Sequence, residues 1–173
     1  MKQLSNARLL EWGVHILFVI TAAIFAYTMF FGAPATYAEL DVGDVLPDMQ
    51  RYINSEQDAM LLLALAPSCP YCKLSYPFYK ELIIMRNQGQ HSVQVVAAVD
   101  TSGSVRLQKM ILEEAGVFVD SVVTLPFHLL KIYGVPTIVL LSDMAVVQAV
   151  WQGFLEDESA ALVLDDLGFS GKP

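Results

Sequence analysis

The chain has 173 residues, with 18 acidic against 10 basic side chains and a formal net charge of −8. That length permits one domain with an appended segment and leaves hardly enough chain for two full hydrophobic cores. The acidic residues are dispersed and no basic stripe accompanies them, which excludes nucleic acid as an expected partner.

Residues 14–31 form an 18-residue stretch without a formal charge, and this stretch explains much of the mean hydropathy of +0.49. Its length is at the lower edge of what crosses a bilayer as a helix. Lys2 and Arg8 precede it and acidic residues follow it, so the positive-inside rule predicts a cytoplasmic N-terminus and an exported remainder. A cleaved signal peptide is the alternative, because small residues at 33–35 and 36–38 resemble cleavage sites. The apolar run exceeds the usual signal core of ~7–15 residues, which favours an uncleaved anchor.

The predicted organisation is a cytoplasmic segment (1–13), a transmembrane anchor (14–31), a linker and entry segment (32–48) and one folded domain (49–173). Within that domain, residues 49–58 are too weakly patterned to assign beyond a short helix or strand. The following segments predict a strand ending near 66, a helix at 72–88, a strand at 93–99, a helix at 105–115, an ambiguous extended segment at 117–124, a short helix at 125–133, a hairpin of 136–141 with 146–151, and an acidic amphipathic helix at 156–167. This order predicts an α/β fold, a mixed sheet with helices on both faces.

The only two cysteines of the chain lie three positions apart, in Cys69-Pro70-Tyr71-Cys72. The pair follows a predicted strand and begins a predicted helix, where unpaired backbone N–H groups and the helix dipole favour a thiolate over a thiol. A thiolate attacks a disulfide, and the second cysteine of the pair can resolve the resulting mixed disulfide. The pattern therefore favours dithiol–disulfide exchange. A structural disulfide and half of a metal site are the alternatives, although a structural zinc needs about four ligands and the three histidines are scattered.

The cysteine motif after the first core strand, together with Val135-Pro136-Thr137 at a later strand, resembles the thioredoxin superfamily. The closer match is its membrane-anchored periplasmic branch, the TlpA/ResA-like thiol–disulfide oxidoreductases. Residues 42–48 are similar to the entry segment of that branch, and residues 132–137 to its Tyr-Gly-Val-x-x-x-Pro-Thr passage in a shorter form. The resemblance covers about residues 41–168 and implies a thioredoxin-like mixed sheet flanked by helices, preceded by one transmembrane helix.

The resemblance also implies the roles of the site residues. Cys69 would attack, Cys72 would resolve, and no bound cofactor or metal would be required. Pro136 would be a cis-proline beside the sulfurs, and the backbone of Val135 would pair with an extended substrate segment. Tyr71, with its neighbour Pro70, would belong to the substrate-binding surface, although an exposed turn aromatic is an equally good interpretation of Tyr71.

Two departures from the family pattern leave the direction of electron flow open. Ser68 stands where thioredoxins usually have Trp, and Leu63 stands where they have a buried Asp that assists proton transfer. The expected function is reduction of disulfides in exported partner proteins by a periplasmic domain on a single-pass anchor in a bacterial inner membrane. Electrons would come from a membrane or periplasmic dithiol protein. The alternatives are a disulfide-donating oxidase or isomerase, a non-catalytic assembly or scaffold module, and a metallochaperone of the cell envelope.

Overall fold

Five strands form one mixed sheet in the order β3-β2-β1-β4-β5. Strand β1 (Ala59–Ala64) is central and runs parallel to β2 (Val93–Val99), which in turn pairs in parallel with β3 (Ser121–Thr124). On its other side, β1 pairs antiparallel with β4 (Thr137–Ser142), and β4 forms a hairpin with β5 (Val147–Gln152). Five of the six β1 residues are buried, as expected for a strand that is covered on both faces.

The computed structural model describes residues 12, 15–22, 39–89 and 92–169, and the chain divides into two units near residue 38. In the first unit, residues 15–22 are helical. The rest of the predicted anchor at 14–31 lies outside the described residues, as do both candidate cleavage sites. Within the described ranges, no helix combines the length and the apolar character needed to cross a membrane.

One face of the sheet carries the α-helices. The described part of the second unit contains α1 (Pro70–Leu74), α2 (Tyr76–Gln88), α3 (Val105–Glu114) and α4 (Asp157–Asp166). Buried side chains of α2, α3 and α4 join a core cluster with Leu61 and Leu63 of β1. Because β1, β2 and β3 follow one another across the sheet, right-handed crossovers place α2 and α3 on the same face.

Among the described residues, a 3-10 helix and turns cover the opposite face, whereas the sequence predicts helices on both faces. Met60 and Leu62 of β1 pack there with Met49, which belongs to the 3-10 helix Pro47–Tyr52, and with buried residues of the segment 125–132. The sequence predicts a short helix over 125–133, and this prediction is wrong, because the segment forms hydrogen-bonded turns.

The turns at 125–132 end where the backbone becomes left-handed. The N–H groups of Leu129 and Leu130 bond to the Pro126 carbonyl, as in a first helical turn. Lys131 then has φ 56°, and the N–H of Ile132 bonds back to the Phe127 carbonyl at 2.9 Å. This is the helix-terminating motif with a left-handed residue, a position that usually requires glycine. Because the residue is a lysine, the sequence does not indicate that the backbone becomes left-handed at position 131.

Most of the other predicted elements are confirmed within one or two residues. Strands occur at 93–99, 137–142 and 147–152, and the weakly patterned residues 49–58 begin within the 3-10 helix. Helix α3 ends just before Gly116, which has φ 74°. The ambiguous stretch 117–124 contains β3 at its end.

Candidate active site

Cys69 occupies the N-cap position of α1, beyond the carboxyl end of β1. Its backbone is extended (φ −78°, ψ 115°), and its N–H closes a turn onto the Ala66 carbonyl at 3.1 Å. Pro70 follows in the first turn of the helix, where a residue without an N–H leaves no helical bond unmade. The local sequence therefore places the Cys69 sulfur against the unpaired N–H groups of a helix start.

Cys69 and Cys72 are joined by a disulfide. The backbone N–H of Cys72 donates to Sγ of Cys69 at 3.0 Å, and the same sulfur lies 3.5 Å from the carbonyl oxygen of Val135. A thiolate at Cys69 would keep the N–H bond in a stronger, charge-assisted form. A thiol at Cys69 could instead donate its proton to the Val135 carbonyl. The surrounding backbone thus provides a hydrogen-bond donor for the thiolate and an acceptor for the thiol of reduced Cys69.

The two sulfurs differ in accessibility. Cys69 is 9% exposed and Cys72 is fully buried, while the intervening Tyr71 is 58% exposed. Of the two residues, only Cys69 has any exposed surface, so a partner disulfide would meet Cys69 first. This difference favours Cys69 as the attacking sulfur and Cys72 as the resolving one, roles that stay predictions.

The helix behind the cysteines is interrupted one turn after Cys72. The sequence predicts that Pro77 kinks or restarts the helix, and the structure has α1 end at Leu74 and α2 begin at Tyr76, with Pro77 in the first turn of α2. The buried Ser75 lies at the junction, and its hydroxyl donates to the Tyr71 carbonyl at 2.9 Å. The break fixes the short α1 as a separate turn that carries both cysteines.

The second part of the site is the loop that enters β4. The Val135–Pro136 peptide bond is cis. Two hydrogen bonds hold this loop: the Thr137 hydroxyl donates to the Gly134 carbonyl at 2.8 Å, and the Gly153 N–H donates to the Pro136 carbonyl at 2.7 Å. The structure thus brings the loop next to the cysteines, with the Val135 carbonyl at Cys69. The predicted residues Cys69, Cys72, Val135 and Pro136 meet at one place, and Pro70 and Tyr71 form its exposed rim.

No carboxylate replaces the buried acid of thioredoxins at Leu63, whose side chain is fully buried in the apolar core. Tyr76 belongs to the same core cluster as Leu63, and Gln108 is buried as well. The hydroxyl of Tyr76 and the amide of Gln108 are buried and adjacent, without the geometry of a full hydrogen bond. Burial raises the pKa of Tyr76 and Gln108 partly offsets that rise, so the phenol is neutral at physiological pH.

Sequence reasoning did not single out Gln108. The signal that could have found it is its spacing, because it lies four residues before Leu112 on the buried side of α3. A glutamine in that apolar stripe needs a polar neighbour, and Tyr76 is the residue that supplies one.

The entry segment bonds to the β4–β5 hairpin, at the end of these strands away from the cysteines, which the sequence also did not reveal. The Gly43 N–H donates to the Val147 carbonyl at 2.8 Å and the Leu46 N–H donates to the Ala145 carbonyl at 2.9 Å. Nζ of Lys131 lies 2.8 Å from a carboxylate oxygen of Asp44. The ion pair lowers the pKa of Asp44 and raises that of Lys131.

The described residues contain no group of three or more His, Cys, Asp or Glu side chains that could hold a metal ion.

Solved structures with the thioredoxin fold resemble this chain. A thiol–disulfide isomerase from Corynebacterium glutamicum is 19% identical with a TM-score of 0.52, and the match covers 77% of this chain and 96% of that one. StoA from Bacillus subtilis is 18% identical with a TM-score of 0.50, covering 66% and 84%. A secreted Mycobacterium tuberculosis disulfide oxidoreductase, homologous to E. coli DsbE, is 12% identical with a TM-score of 0.52, covering 66% and 84%.

No protein-family model matches the chain, and none of the curated proteins matches it either. At the identities of the solved structures, the comparison shows the fold. The thioredoxin-like mixed sheet flanked by helices is confirmed, and the chain carries its cysteine pair at the end of the central strand.

In the reduced protein, we expect iodoacetamide to alkylate Cys69 at least ~10-fold faster than Cys72, because only Cys69 is accessible and its thiolate accepts the Cys72 N–H. The rate rises with pH as the thiolate forms. Mass spectrometry of peptides after timed quenching measures both rates. Equal rates at the two cysteines would contradict the assigned geometry, and the variants Cys69→Ser and Cys72→Ser identify each signal.

Proposed function

We propose that the domain is a thiol–disulfide oxidoreductase that reduces disulfides of exported partner proteins through Cys69 and Cys72. The observation that carries this proposal is the accessible Cys69 sulfur at the N-cap of α1, 3.5 Å from the Val135 carbonyl, with Cys72 buried behind it. Proteins with this fold that are named for thiol–disulfide chemistry support the same reaction class here.

The exchange requires only the two sulfurs and a partner disulfide, without a bound cofactor. The Cys69 thiolate attacks one sulfur of the partner, forming a mixed disulfide and releasing the other partner sulfur as a thiolate. Cys72 then loses its proton, which that partner thiolate can accept, and attacks Sγ of Cys69. The bond between Cys69 and the partner breaks, and the second partner sulfur leaves as a thiolate that takes a proton from water. The products are the Cys69–Cys72 disulfide and a partner dithiol, so two electrons have moved to the partner. A dithiol donor of the membrane or periplasm restores the starting state by the reverse exchange.

The loop at Pro136 and the rim of α1 would position the partner. In this proposal, the backbone of Val135 pairs with an extended segment beside the partner's disulfide, while Pro70 and Tyr71 contact its other side. The exposure of Pro70 and of Tyr71 supports a contact surface at this rim.

The order of attack can be tested by trapping. With the Cys72→Ser variant, we expect a stable mixed disulfide between Cys69 and insulin, because no second thiol is present to resolve it. The Cys69→Ser variant should form no such adduct and should retain less than ~1% of the wild-type rate of insulin reduction, since Cys72 is fully buried. Non-reducing gel electrophoresis and insulin turbidity measure the two results. Full activity of Cys69→Ser would sink this mechanism.

The direction of electron flow follows from the reduction potential of the Cys69–Cys72 couple. A reductase should give a value near the thioredoxin end of about −270 mV, whereas a disulfide donor should give one toward about −120 mV. Titration against a thiol redox buffer, followed by thiol labelling, measures it. The higher value would favour the oxidase or isomerase alternative, and the absence of a reversible couple would favour the scaffold. Copper or zinc that co-purifies with the reduced protein would favour the metallochaperone.

We further propose that residues 14–31 anchor the protein in a bacterial inner membrane with the domain in the periplasm. Support comes from the uncharged stretch itself and from the positive charges before it. The protein should then stay in the membrane fraction after an alkaline carbonate wash, and alkaline phosphatase fused after residue 173 should be active. A mature protein that lacks peptides from before residue 33 would show cleavage instead.

A further inference from the structure

A groove runs between α2 and α4 on the helical face of the domain. It has a volume of about 360 Å³, and its walls include Leu74, Phe78 and Glu81 on one side and Phe154, Asp157 and Ala161 on the other. Leu74 is 58% exposed and Phe154 is 43% exposed, so the end of the groove that they form presents two large apolar side chains to solvent. Exposed apolar side chains that meet in a concave surface mark a contact site more often than singly scattered ones do.

Two residues that line this groove follow closely in the chain on segments of the proposed active site. Leu74 is two residues beyond Cys72, at the end of α1. Phe154 follows Gly153, whose N–H holds the Pro136 carbonyl at 2.7 Å. From Leu74 to Glu81 the helical chain rises by about 10 Å, the length of roughly three extended residues. A polypeptide that presents a disulfide to Cys69 can therefore place its next few residues in the groove.

The charge of the groove selects among such polypeptides. Among the described residues that line it, the charged ones are Glu81 and Asp157, both acidic and both exposed. Glu158 lies beside Asp157 in the first turn of α4, and the whole chain carries a net charge of −8. An acidic segment would be repelled from this surface, whereas a basic one would be attracted to it and would associate faster.

We propose that the groove between α2 and α4 selects the partner: it accepts a segment that carries aliphatic or aromatic residues together with Lys or Arg, within about six residues of the disulfide to be exchanged. This inference rests on the proposed function, because the disulfide at Cys69 fixes where the segment begins. The apolar residues would contact Leu74 and Phe154, and the basic residues would lie near Glu81 and Asp157. The partner would then be chosen by the sequence around its disulfide as well as by the disulfide's accessibility.

The test compares two synthetic peptides with the full-length protein in detergent. Each peptide has one internal disulfide and the same leucines, and one carries two lysines where the other carries two glutamates. We expect the reduced protein to react with the lysine peptide roughly tenfold faster at low ionic strength, with the difference shrinking as salt is added. Stopped-flow measurement of the single-turnover reduction gives the rates, and fluorescence anisotropy of labelled peptides gives their binding.

Charge reversal in the groove should remove this preference. The double variant Glu81→Lys with Asp157→Lys should lower the rate with the lysine peptide roughly tenfold and raise that with the glutamate peptide. The matched control is Glu56→Lys with Glu114→Lys, which changes the net charge by the same amount at exposed positions that do not line the groove. Reduction of bis(2-hydroxyethyl) disulfide, which is small and neutral, should be the same in all three proteins.

The outcomes separate the groove from the proposed function. Equal effects of the test and control variants would assign the preference to the charge of the whole molecule and overturn the proposal. An absence of any preference, with the small disulfide still reduced, would overturn it while the proposed function stands. If the protein fails to reduce the small disulfide but still binds the lysine peptide more tightly than the glutamate peptide, the proposed function is wrong and the groove remains the site that selects the peptide.

The apolar part of the groove is tested separately. Leu74→Ala and Phe154→Ala should each slow the reaction with both peptides severalfold while leaving the rate with the small disulfide unchanged, because both side chains are exposed and their loss leaves the core intact. Light scattering of the wild type tests the remaining occupant, a second copy of the chain. A dimer that dissociates on either substitution would assign the groove to self-association and overturn the proposal.

Discussion

The antiparallel register of β1 and β4 is the constraint on which the site depends. Ala64, the last residue of β1, pairs with Thr137, the first residue of β4. The end of one strand and the start of the other therefore lie at the same edge of the sheet. The turn that leaves β1 carries Cys69 to this edge, and the loop that enters β4 carries Pro136. A slip of one residue would turn every side chain of β4 to the other face, so the burial of Val139 and Leu141 maintains the register.

Backbone groups supply the electrostatics of this site. With Leu63 in the core, the described environment of Cys69 offers an N–H at 3.0 Å and a carbonyl at 3.5 Å, both from the main chain. Hydrogen bonds to a charged sulfur are stronger than those between neutral groups, so stabilising the thiolate requires no basic side chain. The proton of Cys72 has no buried carboxylate at position 63 to receive it. Resolution of the mixed disulfide would therefore depend on water or on the partner's own leaving thiolate.

The sequence predicted the centre of the fold and the position of the cysteine turn, because both depend on short, strongly patterned segments. The apolar run 93–99 and the cysteine turn before a helix are of this kind. The covering of the second face could not be predicted in the same way. Strand β3, within the ambiguous stretch 117–124, lies beside β2. The right-handed connections from β1 to β2 and from β2 to β3 therefore place α2 and α3 on the same face of the sheet. The other face is covered by the entry segment and by the turns at 125–132. The left-handed backbone at Lys131 has no local signal, and the spacing of Gln108 indicates only that it lies on the buried side of α3.

The entry segment shows which interactions stabilise the chain that covers the second face of the sheet. The ion pair of Asp44 with Lys131 is close, but both side chains are about a third exposed, so water screens it and it contributes little to the free energy of unfolding. Leu40, Leu46 and Met49 are buried against the sheet, and each contributes roughly 1.5–3 kcal/mol by leaving water. Burial therefore contributes more than the ion pair, and the pair chiefly fixes how the segment lies against the turns at 125–132. It follows that the folding unit begins at or before Leu40, because a domain cut at residue 49 would lose Leu40 and Leu46 and expose the second face of β1.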